Sequence, residues 1–329
     1  MIKKKKILVT GGSGFFGYEL VKTLSKNNNV IVVDNNLRGN FLKFKGLKNI
    51  KTIKCDITNQ NLVRKLEKVD EVYHLAFING TENFYKHPKK VLDVGVKGII
   101  NILNYIESKK VKNFIMFSSS EVYGSPRKIP TNEKEMIKIE DIFNPRFSYS
   151  AGKIISESMT INYLRKTNVK YKIIRPHNIF GENMGLKHVI PQIVYKMFIS
   201  TSKFKKNNAN IKIQGDGNET RAFCYIADAV KQTIFISEKI KENGIFNVGF
   251  SKETKIKDII RQIDKILKIK TIIKPGKIKK GGTLRRCPDQ KKLFSYKKFD
   301  NNFVKGLKKT VYWYKNFYLK NIIKDELFK

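Results

Sequence analysis

Ile7-Leu8-Val9-Thr10-Gly11-Gly12-Ser13-Gly14-Phe15-Phe16-Gly17 is an apolar run that meets a glycine turn, and the helical spacing Tyr18, Leu20, Val21, Leu24 follows it. The unbroken apolar run reads as a buried parallel strand. A strand, a glycine turn and a helix in succession aim backbone N–H groups and a positive helix end at a pyrophosphate. Gly11 permits the tight turn, Gly14 lets a ligand approach the backbone, and Gly17 lets the helix lie close on the strand. Gly12-x-Gly14-x-x-Gly17 and Gly11-x-x-Gly14-x-x-Gly17 both fit the dinucleotide fingerprint. The next apolar strand, Val30 to Val33, ends on Asp34. A carboxylate there can accept from both ribose hydroxyls of NAD and repels a 2′-phosphate. Arg38 keeps NADP open, whereas Asp34 points to NAD.

Working outward, short apolar runs alternate with helical stretches through the first half. Strands are expected at 5–10, 30–34, 50–54, 71–75, 113–118 and 170–175, and helices at 15–27, 60–67, 88–109 and 148–167. Alternation of this kind implies an α/β fold with a doubly wound parallel sheet. Residues 176–222 look less regular and carry turn signals such as Gly215-Asp216-Gly217-Asn218. A further strand at 245–248 and a helix at 256–266 follow. The expected division is a dinucleotide-binding domain of residues 1–175 plus about 223–250. A smaller C-terminal substrate lobe would be built from 176–222 and 251–329.

The 329 residues suffice for a large core, and no apolar run is long enough to cross a bilayer. Cys55, Cys224 and Cys287 are scattered and odd in number, which fits a reducing cytoplasm rather than a disulfide framework. His74, His87, His177 and His188 lack metal-ligand spacing, so no metal site is expected. Sixty-seven Lys and Arg against 28 Asp and Glu give a net charge of +39. The lysines are spread along the whole chain without an interleaved aromatic stripe. The charge is therefore read as compositional and favourable to an anionic substrate, rather than as a nucleic-acid surface.

A second decisive stretch is Tyr149-Ser150-Ala151-Gly152-Lys153. Residues four apart share a helical face, and an ammonium beside a phenol favours the phenolate. Such a tyrosine can take the proton of an alcohol as hydride leaves. The strand Phe114 to Phe117 runs into Ser118-Ser119-Ser120, and strand ends of this kind open into the ligand crevice of a doubly wound sheet.

Taken with Cys55-Asp56-Ile57, His74-Leu75-Ala76, Ser118 to Gly124, Arg175 to Gly181, Thr220 to Asp228 and Arg285 to Asp289, the chain resembles the extended short-chain dehydrogenase/reductase family. The resemblance is to its NAD-dependent nucleotide-sugar epimerase/dehydratase branch and covers nearly the whole chain. It implies a Rossmann fold, bound NAD, a nucleotide-diphosphate sugar substrate and a homodimer paired through the helices at 88–109 and 148–167.

By the same resemblance, Tyr149 is the acid/base, Lys153 tunes it, and Ser119 holds the substrate oxygen. Cofactor contacts would come from Gly11, Gly14, Phe15, Phe16, Gly17, Asp34 and Asn35, then from Asp56, Ile57, Leu75, Ala76 and Phe77, and finally from Ser118, Tyr149, Lys153 and Pro176. Ser119, Ser120, Tyr149, His177, Asn178, Arg221 and Arg285 would face the substrate, with Arg221 and either Arg285 or Arg286 on its diphosphate.

Glu121 is a further catalytic candidate, since related dehydratases and decarboxylases carry a glutamate there. Ser120, however, stands where the dehydratases carry aspartate. Gly95 replaces a usual asparagine, and His177 a usual aromatic or small apolar residue. The implied reaction is C4 epimerisation through a transient 4-keto sugar. Nucleotide-sugar decarboxylation and 4,6-dehydration are the alternatives, and a non-catalytic RNA-binding or sensor protein is a more distant one.

Overall fold

The computed structural model describes residues 4–277 and 285–321. The outermost residues of the expected divisions, 1–3 and 322–329, and the stretch 278–284 lie outside the described residues.

The chain alternates β1 (Lys6–Thr10), α1 (Phe15–Leu24), β2 (Asn29–Asp34), β3 (Ile50–Lys54), α2 (Gln60–Arg64), β4 (Glu71–His74), α3 (Thr81–Lys86), α4 (Pro88–Ser108), β5 (Asn113–Phe117), α5 (Ser148–Leu164) and β6 (Lys170–Pro176). It continues through β7 (Ile179–Phe180), α6 (Val189–Ser200), β8 (Asn208–Lys212), β9 (Thr220–Arg221), β10 (Cys224–Tyr225), α7 (Ile226–Lys239) and β11 (Gly244–Val248). The last elements are β12 (Thr254–Lys255), α8 (Ile256–Leu267), β13 (Lys270–Lys274), β14 (Arg285–Arg286), α9 (Lys291–Tyr296) and α10 (Phe303–Lys320).

Seven strands form one parallel sheet in the order β11-β6-β5-β4-β1-β2-β3. The apolar runs of the sequence are continuous because both faces of this sheet are covered. Side chains alternate between faces. Ile7, Val9, Val30 and Val32 join one core with α1, α6, α7, α8 and α10, while Leu8, Ile31 and Val33 join the other with α4 and α5. After β3 the chain crosses back to β4 on the far side of β1. That reversal opens a crevice above the carboxyl ends of β1 and β4, where ligands of such sheets bind.

Beyond β6 the remaining strands form three small sheets, β10-β7, β12-β9-β14 and β13-β8. Their elements share the first core, in which Ile190, Ile259 and Leu307 pack with Ile7 and Val32. The expected strands and helices occur within a few residues of their places. Helices α6 and α7 occupy stretches for which no helix was expected. In α6, Pro191 falls in the first turn, where the missing N–H is no loss. Among the described residues no helix is long and apolar enough to cross a membrane.

Candidate active site

β1 ends at Thr10, and Gly11 takes φ +69°; a Cβ there would lie 2.6 Å from the Ala76 nitrogen. A Cβ on Gly17 would lie 2.4 Å from the Gly11 oxygen, so α1 packs directly on the turn. Gly14 precedes α1 and is open: a Cβ would meet only the Gly11 oxygen, at 3.3 Å. The first-turn N–H groups of α1, those of Phe15 and Phe16 included, point out of the helix without carbonyls behind them. This cradle suits a pyrophosphate. The ring of Phe16 packs edge-on to Phe117, 4.9 Å away.

At the end of β2, Asp34 accepts from the Ser13 N–H at 3.1 Å and the Asn36 N–H at 2.8 Å, an acceptor poised beside the turn. Asn35 donates to Asp56 at 3.4 Å, and Asp56 takes the N–H and hydroxyl of Thr58. Burial alone would raise the Asp56 pKa, but these bonds outweigh it and hold the group below the ordinary carboxylate range. Ile57 is buried beneath them. Arg38 donates to the Asn79 carbonyl at 2.7 Å rather than to Asp34, so it is not placed to receive a 2′-phosphate. The residues present fit NAD.

Tyr149 lies in the first turn of α5, after a 3₁₀ turn at Pro145–Phe147 capped by Asn144. Its ring stacks on Phe84 at 5.0 Å and meets Phe77 edge-on at 5.1 Å. Its hydroxyl lies near that of Ser119, which favours the phenolate. Lys153, one turn on, donates to the Phe117 carbonyl at 2.6 Å, 4.0 Å above the Phe77 ring. The expectation of a lowered phenol pKa is not met. Burial pushes Tyr149 up to about 12, eased by Ser119 and Arg38 and opposed by Glu121. Lys153 is drawn down to about 7 by its own burial, with Glu157 countering.

Ser118 and Ser119 diverge. The Ser118 hydroxyl is committed to Glu157, which also takes both arms of Arg175, at 2.9 and 2.5 Å. This buried group ties β5 and β6 to α5 behind the site. The signal for Glu157 was present, since it falls four residues after Lys153 on the same helical face. Leu75, Ala76 and Phe77 follow β4 and wall the crevice between Gly11 and Tyr149. Gly95 is explained by Phe77: a Cβ at Gly95 would come within 2.7 Å of its ring, and the Gly152 Cα lies 3.2 Å off.

On the opposite wall, Ser119 caps a 3₁₀ turn at Ser120–Tyr123 and accepts from the Glu121 N–H at 3.2 Å; Ser120 is buried. Glu121 is paired with Arg286 at 2.5 Å. Burial would raise its pKa, but Arg286, Arg146 and Arg221 together keep it ionised below the ordinary range. Parallel pairing of β14 with β9 sets Arg286 opposite Arg221. Asn178, at φ +44°, directs its amide to the carbonyls of Ala222 and Arg286, 3.4 Å each. Arg285 does not join this group: it is exposed and bidentate to Glu253 at 2.6–3.0 Å. His177 is a packed ring. Its Nε2–H donates to Asn247 Oδ1 at 3.0 Å, the oxygen that also takes the Tyr123 hydroxyl, and burial drops its pKa to about 3. Pro176 closes β6 beside Val248. Phe84 and Arg146 are the site neighbours that the sequence reading did not indicate.

Residues 7–249 match the family model described as NAD dependent epimerase/dehydratase family. The chain belongs to this family. It is an NAD-dependent enzyme. A putative UDP-glucose 4-epimerase of Methanocaldococcus jannaschii is 32% identical over 317 residues, covering 94% of this chain and 98% of that one. UDP-glucuronic acid decarboxylase 6 of Arabidopsis thaliana is 31% identical, covering 86% and 80%. The structure of a UDP-N-acetylglucosamine 4-epimerase from Methanobrevibacter ruminantium superposes with a TM-score of 0.85 at 24% identity over 96% of this chain and 99% of that one, a likeness of fold. Family membership accounts for the glycine cradle and Asp34 together.

Proposed function

We propose that this chain is a nucleotide-sugar epimerase that inverts C4 through a transient 4-keto sugar. Bound NAD supplies the hydride acceptor and donor, and in its oxidised form a positive charge that draws the phenol toward phenolate. Tyr149 takes the proton of the sugar's C4 hydroxyl and later returns it. Ser119 holds the same oxygen, and Lys153 delivers its donor within the same buried pocket. Arg221 and Arg286 grip the diphosphate while the keto sugar turns over, with Asn178 bracing both strands. Their guanidinium forks suit that anion.

The observation that carries epimerisation over 4,6-dehydration is the state of Glu121. Its carboxylate is ionised and tied to Arg286. A carboxylate so engaged is a poor acid for expelling a hydroxyl, and Ser120 beside it cannot serve as one. The decarboxylase relative keeps uronate decarboxylation as the second reading, which shares the first hydride step. Incubation with a panel of UDP- and dTDP-sugars, read by mass and NMR, tests the proposal. Unchanged mass with an inverted C4 supports it, while loss of water or carbon dioxide overturns it.

The proposal includes the division of labour between residues 1–175 with 223–250 for the cofactor and 176–222 with 251–329 for the sugar nucleotide. It also includes a homodimer through α4 and α5. These helices pack on each other yet leave Leu92, Ile155 and Tyr163 exposed. Light scattering on the purified chain reads the mass.

A further inference from the structure

The segment after β2 folds back onto the glycine turn. Gly39 lies so close to Ser13 that a Cβ would fall 1.9 Å from its hydroxyl oxygen. Lys43 donates to the Ser13 carbonyl at 3.3 Å. From this segment Arg38 reaches the Asn79 carbonyl, on the loop that follows β4. In the sheet, β2 and β4 flank β1 on opposite sides. A side chain joining the loop after β2 to the loop after β4 must therefore pass over the end of β1, above the cradle at Gly14.

A third loop meets the first two there. A Cβ at Gly185 would lie 3.4 Å from an Arg38 guanidinium nitrogen, and His188 lies close enough to feel the Arg38 charge. Lys187, beside it, pairs with Glu82 in α3. Among the described residues the Arg38 guanidinium bonds a backbone carbonyl and pairs with no carboxylate. The residue is exposed over its length, while its guanidinium end is partly desolvated between these loops.

We infer that Arg38 is a clasp over the dinucleotide groove, bridging its two walls across the cofactor's pyrophosphate and slowing cofactor release. The inference rests on the cofactor groove of the proposed function but not on which sugar is turned over. A cofactor that must take a hydride and return it within one turnover gains from slow escape, and tuning of affinity falls mainly on the dissociation rate.

The test needs no sugar. The protein is loaded with NADH, mixed with excess NAD, and the decay of bound NADH fluorescence is followed. Arg38→Ala should release NADH about tenfold faster or more, the loss expected for a charge-assisted contact. Arg38→Lys, which keeps the charge without the fork, should fall between. Lys45→Ala, an exposed lysine nearby, should release at the wild-type rate. Release from Arg38→Ala within about twofold of wild type overturns the clasp. So does a collapse of kcat at saturating NAD with release unchanged, which would move Arg38 to the sugar. Arg38 is exposed, so its truncation leaves no core cavity, and the thermal midpoint of each variant verifies the fold.

Discussion

Tyr149 is buried beside Phe77, Phe84 and Ser119, and burial raises its phenol pKa. The Tyr149→Phe variant keeps that packing and loses only the hydroxyl. It is expected to bind NAD normally and to lose about a hundredfold or more in kcat, measured by NMR conversion of the sugar nucleotide. Arg286→Ala should raise KM about tenfold or more, because the lost fork bonded an anion. Arg285→Ala, its chain neighbour, should leave KM within about twofold; steady-state kinetics on both variants checks the pair. That contrast marks where sequence reading stops. The spacing of Tyr149 and Lys153 places them together from the sequence alone, because a helix fixes which residues share a face. Arg285 and Arg286 could not be told apart, because adjacent strand residues face opposite ways and only the pairing with β9 decides which points inward. The pKa of Tyr149 was equally hidden, since spacing carries the lysine's proximity but not the burial of both groups.

At the scale of elements, the cradle and the seven-stranded sheet were legible because apolar runs, glycines and Asp34 recur in one order. The helices at Val189–Ser200 and Ile226–Lys239 were not, because turn residues and the Pro191 signal masked their periodicity. The crossing of α4 on α5 was invisible for another reason: it depends on two glycines far apart in the chain. Gly95 and Gly152 meet there under the Phe77 ring, and the Ser156 hydroxyl bonds the Gly95 carbonyl at 2.9 Å. Gly95→Asn should therefore cost about 1–3 kcal/mol through overpacking. It should also reduce kcat by displacing Phe77 from Tyr149 and Lys153. Pairing it with Phe77→Ala should recover part of the stability, a coupling that a double-mutant cycle in urea measures.

Over the whole molecule, two buried histidines make stability fall as the pH drops below neutral. His74 bonds Thr10 at 2.8 Å and His177 bonds Asn247; burial lowers both pKa values to about 3. Each is neutral when folded but protonates near 6.5 when unfolded. Their stabilisation is full above pH 6.5 and is lost as pH falls toward 3. Between pH 6.5 and 5 ordinary carboxylates stay ionised, so the fall there reports the imidazoles, at roughly 1 kcal/mol per pH unit for each. Urea midpoints at several pH values measure it, and His177→Gln should flatten the slope. The same region of the fold has a consequence for how the protein is made. Asn247, which holds His177 and Tyr123, belongs to β11, the edge strand that pairs with β6. Until Val248 has left the ribosome, β6 presents an unpaired edge, and the floor of the site lacks its keystone. An unpaired edge invites association with other chains. A fragment cut at residue 175 would contain the whole glycine signature and still be an unfinished sheet, lacking the strand that covers the β6 edge.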